Sequence, residues 1–474
     1  MPQRRAHVAS SAAQSELATA LAALRAALDV PVEFSPAAEA EAAAASPPAP
    51  GLDLRDVPFA TLDPQGSQDL DQAFHLTKSD SGYVVRYAIA DVPAFVTPGG
   101  AVDAAARERG QTLYAADGRI PLHPPVLSEG HASLLPDVDR PALVWTFDLT
   151  SDGTVAKFRL ERALIRSRTQ LDYITTQQTL DRGDESPASL LREIGELRIV
   201  KEQERGGASL NMPDEEVIQN EDGTYSIIRG TPLPVEEWNA QLSLMTGMAA
   251  AELMIGAKVG ILRTMPAPDE AAFDTFRHQT EALGRPWKTG EYGEYLRSLD
   301  REDPLTLPVL EAAASLFRGA GYVAFDGSVP EDIEQAAIAA PYAHATAPLR
   351  RLVDRWSLAI CLAISEGSEV PAWARESLSE LPALMQSSSQ RASRLNADTV
   401  NRVEAALLTP LVGSRIDATV IELRGDEGTR AEIQIADPAV TASAPVPAGA
   451  KPGDTVSVTL VRADIAKGEV EFEL

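Results

Sequence analysis

The sequence predicts an α+β protein with a small β-barrel at its C-terminal end. Three observations carry this. Alternating segments such as "GYVVRYAIADV" come first and long helical patterns such as "WNAQLSLMTGMAAAELMIGAKVGIL" come later, so strands and helices are segregated along the chain. In the last sixty or so residues Val456, Val458 and Leu460 alternate, as do Val470, Phe472 and Leu474, with "GDEG" and "KPGD" as turn signals. Five short strands over that length suit an OB-type barrel. At 474 residues and 44% apolar composition, the chain can fill the core of several domains.

Taken in order, Leu17, Leu21, Leu24 and Leu28 lie on one helix face and predict an N-terminal helix ending near Pro31, within a helical region 1–35. "SPAAEAEAAAASPPAPG" is low in complexity and ends in prolines, which predicts a linker or a frayed helix over 36–50. A catalytic-sized α+β unit follows over 51–411, then the barrel over 412–474.

The balance of 69 acidic and 42 basic residues gives a formal charge of -27 and excludes a uniformly basic nucleic-acid coat. Any nucleic-acid binding must use a local basic groove. A lone cysteine, Cys361 in the apolar run "SLAICLAI", excludes an intramolecular disulfide and suits a reducing compartment. No apolar run approaches the roughly 20 residues that span a bilayer, and Glu16 and Arg25 interrupt the Ala-rich N-terminus. The expectation is a cytoplasmic protein with no membrane contact and no evident protein partner.

"TLDPQGSQDLDQAF" gathers Asp63, Asp69 and Asp71 within nine residues. "VPFATLD" reads as a strand delivering Asp63 at its end, Pro64, Gly66 and Ser67 favour a tight return, and in an extended chain Asp69 and Asp71 point the same way. Three carboxylates converging on one hard divalent cation is one reading. A solvated acidic loop is the other. An EF-hand fits poorly, because Gly66 is fourth from Asp63 rather than sixth and position twelve is not Glu.

The basic counterpart is "YAHATAPLRRLVDRW", with Arg350, Arg351 and Arg355. Arginine forks after a proline at a helix start form a phosphate clamp, the alternative being a surface helix with an ion pair to Asp354. "KFRLERALIRSRTQ" adds Lys157, Arg159, Arg162, Arg166 and Arg168, either lining a backbone-tracking groove or forming a solvated strand face. Arg391, Arg394 and Arg402 make a third basic set.

These blocks, together with "YAIADVPAFVTPGGAVDAAARERGQTLYAADGRIPLHPPVLS" and "ALIRSRTQLDY", resemble the catalytic domain of RNase II and RNase R type exoribonucleases over roughly 51–411. The C-terminal barrel resembles the OB-type S1 domain that follows it in that family. The resemblance implies an RNB-type fold with a mixed sheet and surrounding helices. It also implies processive hydrolysis of RNA with a free 3′ end to nucleoside 5′-monophosphates, with Mg²⁺ as cofactor and Mn²⁺ as an alternative.

Residue by residue, the resemblance implies metal ligands at Asp63, Asp69 and Asp71, with Gln72 at a fourth, normally acidic position where it offers only a carbonyl oxygen. Asp69, Asp71 and Arg350 are the implied catalytic residues. RNA would be held by Tyr114 stacking on the terminal base, by Arg350 and Arg351, by Arg166 and Arg168, and by Met212 where relatives carry an aromatic. Ser243 and Asn396 stand where the family has glutamates, and Leu352 where it has a tyrosine. Some fifty largely helical N-terminal residues cannot contain the two cold-shock barrels of relatives. An RNA-binding regulatory protein with a weakened or inactive centre is the alternative reading.

Overall fold

A computed structural model describes residues 4–7, 11–47, 50–115, 118–208, 214–219, 225–230, 232–300, 306–424, 428–435 and 440–474. Six strands form the main sheet, in the order Leu52–Asp53, Val155–Asp172, Phe59–Asp63, Gln72–Ser79, Gly82–Ala90 and Asp139–Thr150. Leu52–Asp53 and Phe59–Asp63 run parallel to Val155–Asp172, whereas the other pairs are antiparallel, so the sheet is mixed as expected. Val155–Asp172 is eighteen residues long and also pairs with Asp139–Thr150, which curls the sheet back on itself.

The main core joins one face of this sheet to two helices. Tyr87, Trp145 and Phe147 from the strands pack in the same cluster as Leu242 and Met245 of helix Pro234–Ala257 and Trp356 and Ile360 of helix Leu352–Glu366. Cys361 is buried there, its Sγ 3.6 Å from the Ala250 carbonyl oxygen. Gly247 has a packing reason to lack a side chain. A Cβ there would collide with the Tyr342 ring, and the Ala343 N–H donates to the Gly247 carbonyl at 3.1 Å. This contact lays the segment that leads to Arg350 directly against the helix.

Of the two forms expected for the low-complexity segment, linker or frayed helix, the structure forms a packed helix, Pro36–Ala44. Ser35 caps it, its Oγ accepting from the Ala38 N–H at 3.2 Å, and Pro36 occupies the first turn. Ala38 and Ala42 are buried, and the helix packs on helix Ala101–Arg109, where Glu41 accepts the Ala101 N–H at 2.6 Å. The low-complexity run packs rather than frays because alanine is the strongest helix former and its side chain is small enough for close packing.

The N-terminal helix spans Ser11–Ala27, with Leu17, Leu21 and Leu24 buried and Leu28 just beyond it. Strand Arg4–His7, which the helical expectation for 1–35 did not include, pairs with Tyr225–Gly230.

The C-terminal unit is a five-stranded antiparallel sheet in the order Val440–Pro445, Arg430–Ile435, Arg415–Arg424, Thr455–Asp464, Glu469–Glu473, and its two outer strands approach each other. That is the expected OB-type arrangement; most of the expected "GDEG" turn lies outside the described residues. Its core is continuous with Ala13, Leu17, Ala20 and Leu21 of the N-terminal helix and with Val403–Leu408 of helix Leu381–Leu408. Leu17→Ala therefore opens a cavity where three elements meet. We expect a loss of about 2–5 kcal/mol of stability, read as a lower denaturant midpoint; an unchanged midpoint would show that the helix is not part of this core.

Among the described residues, no helix is long and apolar enough to cross a membrane.

Candidate active site

Asp63 ends a strand whose other residues are buried, in parallel register with Asp172. The chain then turns through Pro64 and Gly66, the latter at φ 85°, a conformation that favours glycine. Leu70, fully buried, brings the loop back: its N–H donates to Ser133 Oγ at 2.9 Å and its carbonyl accepts from the Leu134 N–H at 3.0 Å. Asp71 is thereby drawn into the protein at the start of the next strand, 4% exposed.

There it meets the segment before helix Leu352–Glu366. Asp71 Oδ1 accepts the Leu349 N–H at 2.7 Å, and Oδ2 lies 3.4 Å from Arg350 Nε. Burial pushes the Asp71 carboxyl well above the ordinary value, against the opposing pull of Arg350 and the Leu349 N–H. Asp63 is likewise raised, to about 7, by burial first, with Arg350 opposing and Asp69 adding to the rise. The Arg350 side chain remains 46% exposed. Two desolvated carboxylates thus face one half-open guanidinium.

The third aspartate does not join them. Asp69 is bonded to Arg119, which also reaches Glu129 at 2.8 Å. Accordingly, among the described residues, no group of three or more His, Cys, Asp or Glu is arranged to hold a metal ion. In this structure an arginine fifty residues downstream pairs with the middle one of the three carboxylates expected to converge.

Gln72 is also committed. Its Nε2 donates to the Thr346 carbonyl at 2.6 Å, and its Oε1, the expected metal donor, accepts from the Tyr87 hydroxyl at 2.7 Å. Ser243 bonds the same hydroxyl at 2.8 Å.

Of the expected phosphate clamp, only Arg350 is open to the site. Arg351 closes its fork on buried Asp354 at 2.8 and 2.9 Å, the ion-pair alternative of the sequence reading. Arg355 is fully buried on Asp103 at 2.6 Å. On the long strand, Arg166 bonds Asp139 at 2.7 Å, Arg162 bonds Asp91 at 2.6 Å, and Arg168 donates to the Arg55 carbonyl at 2.7 Å. Acids from neighbouring elements take up the charge of Arg162 and Arg166, whereas Arg168 stays exposed with only a carbonyl as partner. Arg391 donates to the Glu108 carbonyl, and Arg394 and Arg402 engage Asp398 on their own helix. Met212 lies outside the described residues.

Tyr114 stands 58% exposed on the hairpin formed by Leu113–Ala115 and Gly118–Ile120, cross-strand from Arg119. The Thr112 N–H just before it donates to the Arg350 carbonyl at 2.9 Å, which ties the hairpin to the site. Partial burial pushes the Tyr114 hydroxyl above its ordinary value, with Arg350 opposing and Asp69 and Asp71 adding to the rise. Sequence reasoning assigned no role to Arg119, Tyr87 or Tyr173. Tyr173 begins the helix after the long strand; burial and then Asp63 push its hydroxyl up to about 12. Its position one residue beyond Asp172, the register partner of Asp63, becomes a clue only once the parallel pairing is known.

The residues present suit a divalent cation of the hard class. Asp63 and Asp71 offer oxygen donors whose hold on a proton is strengthened by burial in spite of Arg350, so that a cation there would offset the cost of their charge, and one or two carboxylates plus phosphate and water is an ordinary Mg²⁺ set.

Comparison with known proteins gives two family matches. The RNB domain model matches residues 52–360, and the RNase II-type exonuclease C-terminal S1 domain model matches 414–474. The chain is 30% identical to ribonuclease R of Escherichia coli (strain K12) over 324 residues, covering 64% of this chain and 39% of that protein. It spans 33% to 39% of the length of the first curated relatives it matches. The fold superimposes on Mycoplasma genitalium RNase R in complex with ribose-methylated single-stranded RNA with a TM-score of 0.86 at 16% identity, covering 97% of this chain and 78% of that one. It also superimposes on yeast Ssd1, described as a pseudonuclease, with a TM-score of 0.69 at 14% identity, covering 90% and 55%.

Proposed function

This chain belongs to the RNB-domain family of exoribonuclease relatives, and from that premise we propose that it hydrolyses RNA from a free 3′ end, processively, releasing nucleoside 5′-monophosphates. The observation that carries the reading is the buried Asp71 carboxylate beside half-exposed Arg350, with Asp63 close by.

Arg350 donates to the oxygens of the scissile phosphate, where charge builds in the transition state. Asp71 Oδ1 is held by Leu349, which leaves Oδ2 to orient a water and take its proton. The P–O3′ bond breaks, the shortened RNA keeps a 3′-hydroxyl, and a 5′-monophosphate departs. Asp63 and Asp71 are the residues that would hold a divalent cation, Mg²⁺ or Mn²⁺, which when bound would supply charge neutralisation at the phosphate and a more acidic water. Asp69 would join that set only by releasing Arg119, which Glu129 already holds at 2.8 Å. Chromatography of the products tests the reaction class: nucleoside 5′-monophosphates are expected, and 2′,3′-cyclic or 3′-phosphates would overturn it.

Tyr114 stacks on the terminal base. Tyr114→Ala should weaken binding of a short RNA by roughly 1–3 kcal/mol while changing the single-turnover rate at saturation far less. Equal affinity, measured by fluorescence anisotropy, would remove it from the binding surface. The single cysteine, Cys361, buried in the core, is in keeping with a reducing compartment such as the cytoplasm.

The second reading, a regulatory RNA-binding protein with an inert centre, is favoured by the neutralisation of Asp69 and by the uncharged Gln72. A pseudonuclease among the proteins of this fold is consistent with it.

A further inference from the structure

Gln72 follows Asp71 directly, and its side chain ends a directed series of hydrogen bonds. The Thr346 carbonyl can only accept, so the 2.6 Å bond places the amide nitrogen on that side and the amide oxygen toward Tyr87. Tyr87 has one hydroxyl proton. Given to Gln72, it obliges Ser243 to be the donor in the 2.8 Å contact between the two hydroxyls. The series therefore runs from Ser243 to Tyr87, from Tyr87 to the Gln72 oxygen, and from the Gln72 nitrogen to the Thr346 oxygen.

Thr346 begins the segment that presents Arg350. Asp71 Oδ1 accepts the Leu349 N–H at 2.7 Å, so two adjacent residues at the start of strand Gln72–Ser79 hold both ends of 346–349. From behind, Asp354 Oδ1 accepts the Ala347 N–H at 2.7 Å, and the Arg350 N–H closes the turn on the Ala347 carbonyl at 3.2 Å. The Gln72 amide is the side chain that fastens the front of this segment to the strand bearing the acids.

We propose that Gln72 is a positioning residue: its amide N–H fixes Thr346, and through it the aim of Arg350 at the phosphate, while Tyr87 and Ser243 fix the amide itself. The proposal rests on the reading of Arg350 as the phosphate donor. It also accounts for the residue type. A carboxylate at this position keeps the bond from Tyr87 but has no hydrogen for the Thr346 carbonyl, and two oxygens 2.6 Å apart repel. The front of the segment then moves off, and a misplacement of about 1 Å at a reacting group can cost on the order of 100-fold.

The near-isosteric Gln72→Glu tests this by single-turnover cleavage of RNA at saturating protein. We expect the rate constant to fall roughly 10- to 100-fold, with unchanged RNA affinity and an unchanged Mg²⁺ concentration for half-maximal rate. In an Arg350→Ala background the same substitution should cost less than about twofold, since residues acting through one another are non-additive. Tyr87→Phe, which leaves Gln72 in place but frees its amide, should give a smaller fall of the same kind and serves if Gln72→Glu does not fold.

Equal losses in both backgrounds, or a lower Mg²⁺ requirement with an undiminished rate, would overturn the proposal; the latter would make residue 72 a metal ligand. If the wild type does not cleave, the exoribonuclease reading fails separately. The Arg350 Nε–H resonance then reads the aim directly by NMR. It should move in Gln72→Glu, and an unmoved resonance overturns the proposal whether or not the protein is active.

Discussion

Asp71→Asn should abolish RNA cleavage and leave RNA bound. The substitution nearly conserves shape, and its Oδ1 can still accept the Leu349 N–H. What disappears is the negative charge that Asp71 contributes beside Arg350, and with it one of the two donors that suit a hard cation and the group that takes a proton from water. Loss of one such electrostatic partner costs on the order of 10²–10³-fold. Here both the cation and the water depend on the residue, so a fall of roughly 10³-fold or more is expected.

A second readout separates this from misfolding. Burial disfavours the charged form of Asp71, so replacing it with a neutral amide relieves a cost carried for function. The thermal midpoint in EDTA should therefore not fall. Turnover near the wild-type value would remove Asp71 from the mechanism.

Arg350→Ala should lower turnover by roughly 10²–10³-fold, expressed mainly in kcat. Arg350→Lys should recover little, because a point charge on a flexible stem does not reproduce a planar fork. Of the three arginines in "LRRLVDR", Arg351 and Arg355 are held by Asp354 and Asp103 and cannot substitute. Arg351→Ala is accordingly a stability variant, since it strands a fully buried carboxylate. An unchanged rate in Arg350→Ala would leave Arg350 as a structural partner of Asp71 only.

The strand carrying Asp63, the turn at Gly66 and the C-terminal barrel were all legible in the sequence, because each rests on local pattern, whereas Tyr114 was picked out only by the family resemblance. The centre was legible only in part, because its charges are balanced by residues far away in the chain. Nothing around Asp69 announces Arg119, which arrives on a separate hairpin, or Glu129 beyond it. The amide of Gln72 seemed a weak metal donor until Thr346, 274 residues away, was seen to take its hydrogen. The same holds for Arg166 and Asp139, which meet only through strand pairing. By contrast, the pairing of Arg351 with Asp354 was readable, being a three-residue spacing on a helix.

The central claim is that the Asp71–Arg350 centre performs metal-dependent hydrolysis at an RNA 3′ end. Incubation of the wild-type protein with 5′-labelled single-stranded RNA, in Mg²⁺ or in EDTA, tests it most directly. A ladder that shortens progressively in Mg²⁺ and stops in EDTA is the predicted result; RNA that binds but keeps its full length in both would contradict it.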